Sequence, residues 1–279
     1  MPKAIDIQPD SYNQILMKGG PGFGKTLAAA TFAIEGPVHI SYFDKKKPVE
    51  LTTFFTKERF GDKAERILRN IEYTVYGAGN ANDYLNRLIQ MQQQNNCRWF
   101  ADITDSTTSL TSAAVNWSSL FGDSKGKDVK NVEEIIPGFD DYKVETALVT
   151  QALDLYQNLP CHVIWTAHPL PSIKIEGSGR NMKVTKTNPI VTYGAKVAGI
   201  IPGRFTEIYH FAQENEWDSV KMRNNKKFIV RFESGDDDYA KSSIFTGSDI
   251  REIDVTNKLF YEVWQEAVKN RFKQEGETA

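Results

Sequence analysis

Residues 15–33 read Ile15-Leu16-Met17-Lys18-Gly19-Gly20-Pro21-Gly22-Phe23-Gly24-Lys25-Thr26-Leu27-Ala28-Ala29-Ala30-Thr31-Phe32-Ala33. A short apolar run, a glycine-rich turn and an alanine-rich run follow one another, which spells strand, loop and helix. Between Gly19 and Thr26 the loop has the spacing GxxxxGKT of a P-loop, in the context that a P-loop needs. Glycines at these positions let backbone N–H groups turn inward around phosphate oxygens. Lys25 can reach the β- and γ-phosphates, Thr26 can hold Mg²⁺ through its hydroxyl, and the start of the helix adds a field that favours an anion. The cradle is therefore expected to comprise Gly19, Gly20, Pro21, Gly22, Phe23, Gly24, Lys25, Thr26 and Leu27, and the ligands it implies are ATP and Mg²⁺.

Outward from the loop, strand and helix patterns alternate. Gly36-Pro37 ends the first helix, and Val38 to Phe43 reads as a buried strand that stops at Asp44. Thr56 to Arg69 has a helical pattern, Ile71 to Tyr76 a strand pattern, and Ala81 to Gln94 is a helix with leucine and isoleucine on one face. Arg98 to Asp105 is a strand that ends in acid, Phe139 to Asn158 a long helix, and Cys161 to His168 another central strand. This alternation predicts a mostly parallel sheet covered on both faces. Residues 120–138 are polar and glycine-interrupted and read as a loop; 169–203 show little periodicity. Phe205 to Phe211, Trp217 to Arg223 and Lys226 to Phe232 read as strands, the last two as a hairpin around Asn224-Asn225, and Thr256 to Phe272 as a closing helix. One domain over residues 1–279 is expected, with a core at about 12–233 and a C-terminal extension beyond it.

Bulk properties narrow the function. The chain has 279 residues, 40% of them hydrophobic, and a net charge of −2, so any contact with nucleic acid must come from a local basic segment. One such segment exists: residues 169–203 carry Lys174, Arg180, Lys183, Lys186 and Lys196 against Glu176. Cys97 and Cys161 each open an apolar run and read as reduced core residues of a cytoplasmic protein. The N-terminus lacks an apolar signal region, no run is long enough to span a membrane, and the histidines lack partners at metal-ligand spacing.

A P-loop needs an acidic side chain at the end of a neighbouring strand to hold the Mg²⁺ shell. Asp105 is the candidate; Asp102, three residues earlier on an extended strand, is expected to face the other way. His168 ends its strand where a side chain can sense the γ-phosphate. His39, His162 and His210 are expected to be structural.

The GGPGFGKT loop, the strand ending at Asp44, the DITDSTTSL strand, the GFDDYKVETALVTQALDLYQNLPCHVIWTAH segment and the late YAKSS together resemble the phage-encoded RecA-like ATP-binding proteins linked to recombination and single-strand annealing. The resemblance covers roughly Gln14 to Ser243, and only the P-loop is specific alone. It implies an α/β fold of the RecA-like P-loop type with a late β-hairpin, ATP and Mg²⁺ as cofactors, a ring or filament of identical subunits, single-stranded DNA and phage recombination or replication proteins as partners, and the host cytoplasm as location. It also implies a sensor at His168 and a cation, Lys241 with Arg204 as runner-up, that reaches a neighbouring subunit's phosphates. The DNA loop would use Lys174, Arg180, Lys183 and Lys186. One departure is informative: where the family places a catalytic glutamate, this chain has Asp44-Lys45-Lys46, so Asp44 would have to serve as base or hydrolysis would be slow. The function expected is therefore ATP binding and hydrolysis coupled to single-stranded DNA. The alternatives are a nucleotide-gated assembly protein with little hydrolysis and a P-loop nucleotide kinase.

Overall fold

The computed structural model describes residues 12–44, 48–93, 97–121, 137–170, 172–176, 183–187, 190–218, 222–233 and 240–277. An eight-stranded sheet forms the centre. In chain order its strands are β1 (Gln14–Gly19), β2 (Val38–Tyr42), β3 (Ile71–Val75), β4 (Ala101–Asp105), β5 (His162–Ala167), β8 (Glu207–Asp218), β9 (Arg223–Arg231) and β10 (Glu252–Asp254); β6 (Ser172–Glu176) and β7 (Lys183–Thr187) form a separate antiparallel ribbon. Across the sheet the order is β10-β9-β8-β1-β5-β4-β2-β3, parallel from β8 to β3 and antiparallel where β9 and β10 join. The expected α/β fold with a mostly parallel sheet and a late hairpin is therefore present.

Strands β2, β4 and β5 are buried along their whole length and β1 from Ile15 to Gly19, as a sheet covered on both faces requires. One face is covered by α1 (Lys25–Ala30), by α2 (Val49–Phe54), α3 (Lys57–Phe60) and α4 (Asp62–Arg69), and by α9 (Phe260–Glu277). The other is covered by α5 (Ala81–Gln93), α6 (Thr107–Phe121), α7 (Phe139–Tyr156) and α8 (Ala195–Gly203). The C-terminal helix is part of the first core. The Phe32 ring, just past α1, lies 4.7 Å from Tyr261 and 5.8 Å from Trp264, and the Tyr261 N–H donates to Thr31 Oγ1 at 2.9 Å. That clasp fixes the helix on which the P-loop depends, with fully buried aromatic rings each contributing about 1.5–3 kcal/mol.

Several sequence expectations need correction. The helix expected over 56–69 is broken at Gly61, whose φ of 59° an L side chain adopts only with strain. Residues 120 and 121 belong to the end of α6, and 122–136 lie outside the described residues. The aperiodic segment 169–203 contains the β6–β7 ribbon and α8; the alternation of Ile173 and Ile175 with Lys174 carries the strand signal there. Asn224 and Asn225 do not form a turn. They pair with Trp217 and Glu216 inside β9, because a long two-stranded ladder outweighs the local turn preference of one Asn pair. The last helix starts at Phe260, after Asn257 in the left-handed region at φ 57°.

Candidate nucleotide site

The P-loop leaves β1 at the carboxyl edge of the sheet. Gly19 has no room for a side chain, since a Cβ there would stand 2.5 Å from the Phe211 carbonyl oxygen of the neighbouring β8; Gly22 and Gly24, with φ of 78° and 83°, carry the left-handed turns that bring the loop onto α1. Lys25 opens that helix. It is buried, and its ammonium donates to the carbonyl oxygens of Gly19 at 2.7 Å and Gly20 at 2.9 Å, folding back across the mouth of its own loop. Burial pulls the Lys25 pKa down to about 8, against the opposing pull of Asp105 and Asp44.

Asp105 ends β4, two strands away from β1, with β5 in between. Thr26 Oγ1 reaches across to donate to Asp105, 3.1 Å from each carboxylate oxygen, and Thr166 Oγ1 of β5 donates to Oδ1. The peptide bond from Asp105 to Ser106 is cis. Burial pushes the Asp105 pKa up from an ordinary 3.8 to about 6, with nearby Asp44 adding to the rise while the Thr166 and Thr26 hydroxyls and Lys25 oppose it. Asp44, exposed just past β2, accepts a hydrogen bond from Ser109 Oγ near the start of α6, and its charge acts on Lys25, Asp105 and His168 together. His168, just past β5, has Nδ1 3.5 Å from the Lys25 ammonium. Burial and that ammonium lower its pKa, so the ring is neutral at pH 7.

Five side chains from four segments of the chain, Lys25, Thr26, Asp44, Asp105 and His168, thus converge on one crevice at the carboxyl ends of β1, β2, β4 and β5, where open α/β sheets bind ligands. The donor set suits Mg²⁺: one carboxylate and one hydroxyl, both hard oxygen donors of the kind that hold this ion beside phosphate oxygens and water. Among the described residues no cluster of three or more His, Cys, Asp or Glu side chains offers a separate metal site.

Asp102 lies on the opposite face of β4. It is fully buried, takes two hydrogen bonds from Arg87 of α5 at 2.8 and 3.0 Å, and accepts from the Tyr156 hydroxyl at 2.5 Å; His39 Nδ1 stands 3.2 Å away. Burial alone would raise its pKa, but Arg87 and His39 outweigh that and hold the carboxyl well below the usual range. Tyr84 and Thr104 extend the network behind it. Asp102 is therefore a strut between the sheet and α5.

The remaining expected positions are scattered. Lys241 is bridged backbone to backbone with Ile208 at the start of β8, three positions back from Phe211, so it does not join this chain's own crevice. The neighbouring Ser242 and Ser243 donate to the buried Glu207 carboxylate, which gives the late YAKSS stretch a packing role as well. Arg204 pairs with Asp154 at 3.0 Å. Lys174, Lys183 and Lys186 lie on β6 and β7, while Arg180 and Lys46 fall outside the described residues. His162 is buried and accepts from the Asn13 N–H at 3.1 Å, burial pushing its pKa down to about 4. Cys97 and Cys161 are free thiols. No helix among the described residues is long and apolar enough to cross a membrane. The sequence reading missed Thr166 and Ser109. The signal for Thr166 was the single hydroxyl of its strand, two residues before His168.

These features define the class: an α/β P-loop protein whose loop, Mg²⁺-type hydroxyl and strand-end carboxylate sit in one crevice. A solved structure, that of a KaiC-like protein from the hyperthermophilic archaeon Pyrococcus horikoshii, is similar over 83% of this chain and 82% of its own, with 14% identity and a TM-score of 0.41. No family model matches the chain, and no curated protein is significantly similar to it. The class therefore stands on the sheet order and on the site itself.

The raised pKa of Asp105 has two measurable consequences. With Asp105 as the Mg²⁺ ligand that the sequence reading expects, Mg²⁺-dependent nucleotide affinity would need the carboxylate and is expected to fall about tenfold per pH unit below about 6. The fold, in contrast, favours the protonated form. Between about 4 and 6 the folded chain holds a proton that the unfolded chain has released, so this group makes stability fall as pH rises through that window and then level off. The full cost corresponds to about 3 kcal/mol. Asp105→Asn is expected to stabilise the free protein at pH 7 by roughly 1–3 kcal/mol while abolishing the Mg²⁺ dependence of binding. Asp102→Asn should destabilise it and leave that dependence in place. Urea titrations with nucleotide-binding isotherms check both; the same ranking of the two variants in both assays would mean that the carboxylates are wrongly assigned.

Proposed function

We propose that this chain is a RecA-like, Mg²⁺-dependent ATPase that assembles into an oligomer and handles single-stranded DNA, as the phage recombination proteins it resembles would. The single observation that carries the nucleotide part is the convergence of Lys25, Thr26 and Asp105, with Thr26 already hydrogen-bonded to the carboxylate it would share a metal with. In this reading Lys25 exchanges the Gly19 and Gly20 carbonyls for phosphate oxygens. Thr26 and Asp105 hold Mg²⁺, which would supply positive charge for the β- and γ-phosphates. Thr166 orients the Asp105 carboxylate, and the neutral His168 ring keeps an N–H to donate to the γ-phosphate. Asp44, anchored by Ser109, is the carboxylate placed to take a proton from water. Because it is exposed and one methylene shorter than glutamate, turnover is expected to be slow. Lys241, remote from its own crevice, is free to serve a neighbour's.

The DNA part rests on the basic segment that follows β5. The β6–β7 ribbon gives that segment a scaffold on which Lys174, Lys183 and Lys186 recur along two paired strands. The test is the ATPase rate and the particle size of the purified protein with ATP and Mg²⁺, with and without single-stranded DNA. Stimulation by DNA and growth in size support the proposal; stimulation by a nucleoside monophosphate favours the kinase, and assembly without turnover favours the nucleotide-gated protein. Neutralising Lys174, Arg180, Lys183 and Lys186 together should reduce the salt slope of single-stranded DNA binding by about three units, at roughly 0.7 per phosphate contact, with nucleotide binding intact. An unchanged slope would take the ribbon out of the DNA account.

A further inference from the structure

A cavity of about 280 Å³ opens beside the P-loop. It lies on the β8–β9 side of β1, whereas Asp105 lies on the β5–β4 side. Phe23 and Leu27 of the P-loop segment line one part of it, Phe54 of α2 and Phe228 of β9 another, and the exposed Arg59 and Asn257 stand at its mouth. Arg59 is ordered there twice over: its guanidinium lies 4.1 Å from the centre of the Phe54 ring, and Nη2 donates to Asn257 Oδ1 at 2.8 Å. The cavity is thus walled by flat π-surfaces and is continuous with the loop expected to hold phosphates.

We infer that this cavity receives the base of the bound nucleotide, and that it selects purines over pyrimidines without telling adenine from guanine. The inference rests on the nucleotide reading above. A triphosphate whose terminal groups lie between Lys25 and Asp105 leaves the P-loop in the opposite direction, past Thr26 and Leu27 at the start of α1, which is where the cavity begins. A base has two π-faces, and stacking on aromatic rings or a guanidinium plane is sequence-tolerant. Two fused rings cover more of such walls than one. Discrimination between adenine and guanine needs polar groups fixed against the ring edges; of the polar side chains lining the cavity, Thr31, Arg59 and Asn257 are already engaged, and Lys258 is an exposed ammonium that can only donate, for which both purines offer an N7 acceptor. Thr31 Oγ1 donates to the Ala28 carbonyl oxygen at 2.6 Å and accepts from the Tyr261 N–H, while Arg59 and Asn257 bind each other.

Calorimetric titration of the full chain with Mg-ATP, Mg-GTP, Mg-CTP and Mg-tripolyphosphate tests this. ATP and GTP are expected to bind within about threefold of each other, and about tenfold or more tighter than CTP or tripolyphosphate. Phe228→Ala and the surface substitution Arg59→Ala should each weaken ATP severalfold and leave tripolyphosphate unchanged, which also shows that the variants are folded. Equal binding of ATP and tripolyphosphate by the wild type, or equal losses for both ligands in the variants, would overturn the base pocket while the P-loop reading stands. A preference for one purine above about thirtyfold would overturn the selectivity. Binding of neither ligand by the wild type would overturn the P-loop reading, and this inference with it.

Discussion

Lys25→Ala is expected to weaken Mg-ATP binding by about a hundredfold or more while the protein stays folded. The ammonium is buried, its partners are two carbonyl oxygens of its own loop and, at 3.5 Å, His168 Nδ1, and burial has already drawn its pKa down to about 8. A charge held under those conditions does little for the fold. Its hydrogen bonds to phosphate would be charge-assisted, each contributing roughly 1.5–3 kcal/mol, and two of them account for a hundredfold or more. The sign of the pH effect follows. Between about 8 and 10.5 the unfolded chain keeps a proton that the folded chain has released, so Lys25 makes stability rise with pH across that window. The alanine variant should lose this rise. Isothermal titration and pH-dependent urea unfolding measure the two effects, and wild-type ATP affinity in a folded Lys25→Ala protein would sink the assignment of the P-loop.

Arg87→Ala is the largest stability effect expected outside the hydrophobic core. It leaves Asp102, fully buried, with the His39 ring and the Tyr156 hydroxyl as its remaining partners and an open gap where the guanidinium bridged it to Ser41. Breaking a buried pair from one side costs about 3–5 kcal/mol, because the stranded charge keeps its desolvation penalty. Asp102 has its pKa held low in the folded state, so its contribution is present above the ordinary carboxylate range and lost as pH falls through and below it; the variant should therefore show a flatter acid limb. Adding Asp102→Asn to Arg87→Ala should recover part of the loss. Nucleotide affinity of the folded fraction should change less than about threefold, since the network faces away from the crevice. A loss below about 1 kcal/mol in urea unfolding would show that water or His39 compensates the charge.

Much of the site was legible in the sequence because it is local. From Gly19 to Thr26 the residues that shape the loop and those that would touch phosphate are the same consecutive residues, and the flanking patterns place them between strand and helix. Asp105 was the candidate because it ends its strand, strand alternation turned Asp102 the other way, and the coordinates put the two carboxylates on opposite faces of β4. Periodicity also set the alternating α/β character, since strands buried on both faces must be apolar throughout.

What lies between distant segments was not legible. Thr166 meets Asp105 because β5 is inserted between β1 and β4, and strand order is a property of the whole sheet rather than of any segment. Arg87 meets Asp102 only because α5 packs it over β4. The hairpin turn moved off Asn224-Asn225 because nine residue pairs of a ladder outweigh two turn-forming side chains. The cavity beside the P-loop collects side chains from Phe23 to Phe260, contributed by α1, α2, α3, β8, β9 and α9 and the segments between them. The sequence by itself determined the glycine-rich loop between strand and helix, the acidic strand and the class of fold, because near-neighbour geometry suffices for them. The tertiary structure decided which groups stand around that loop, since each is placed by packing free energy summed over contacts far apart along the chain.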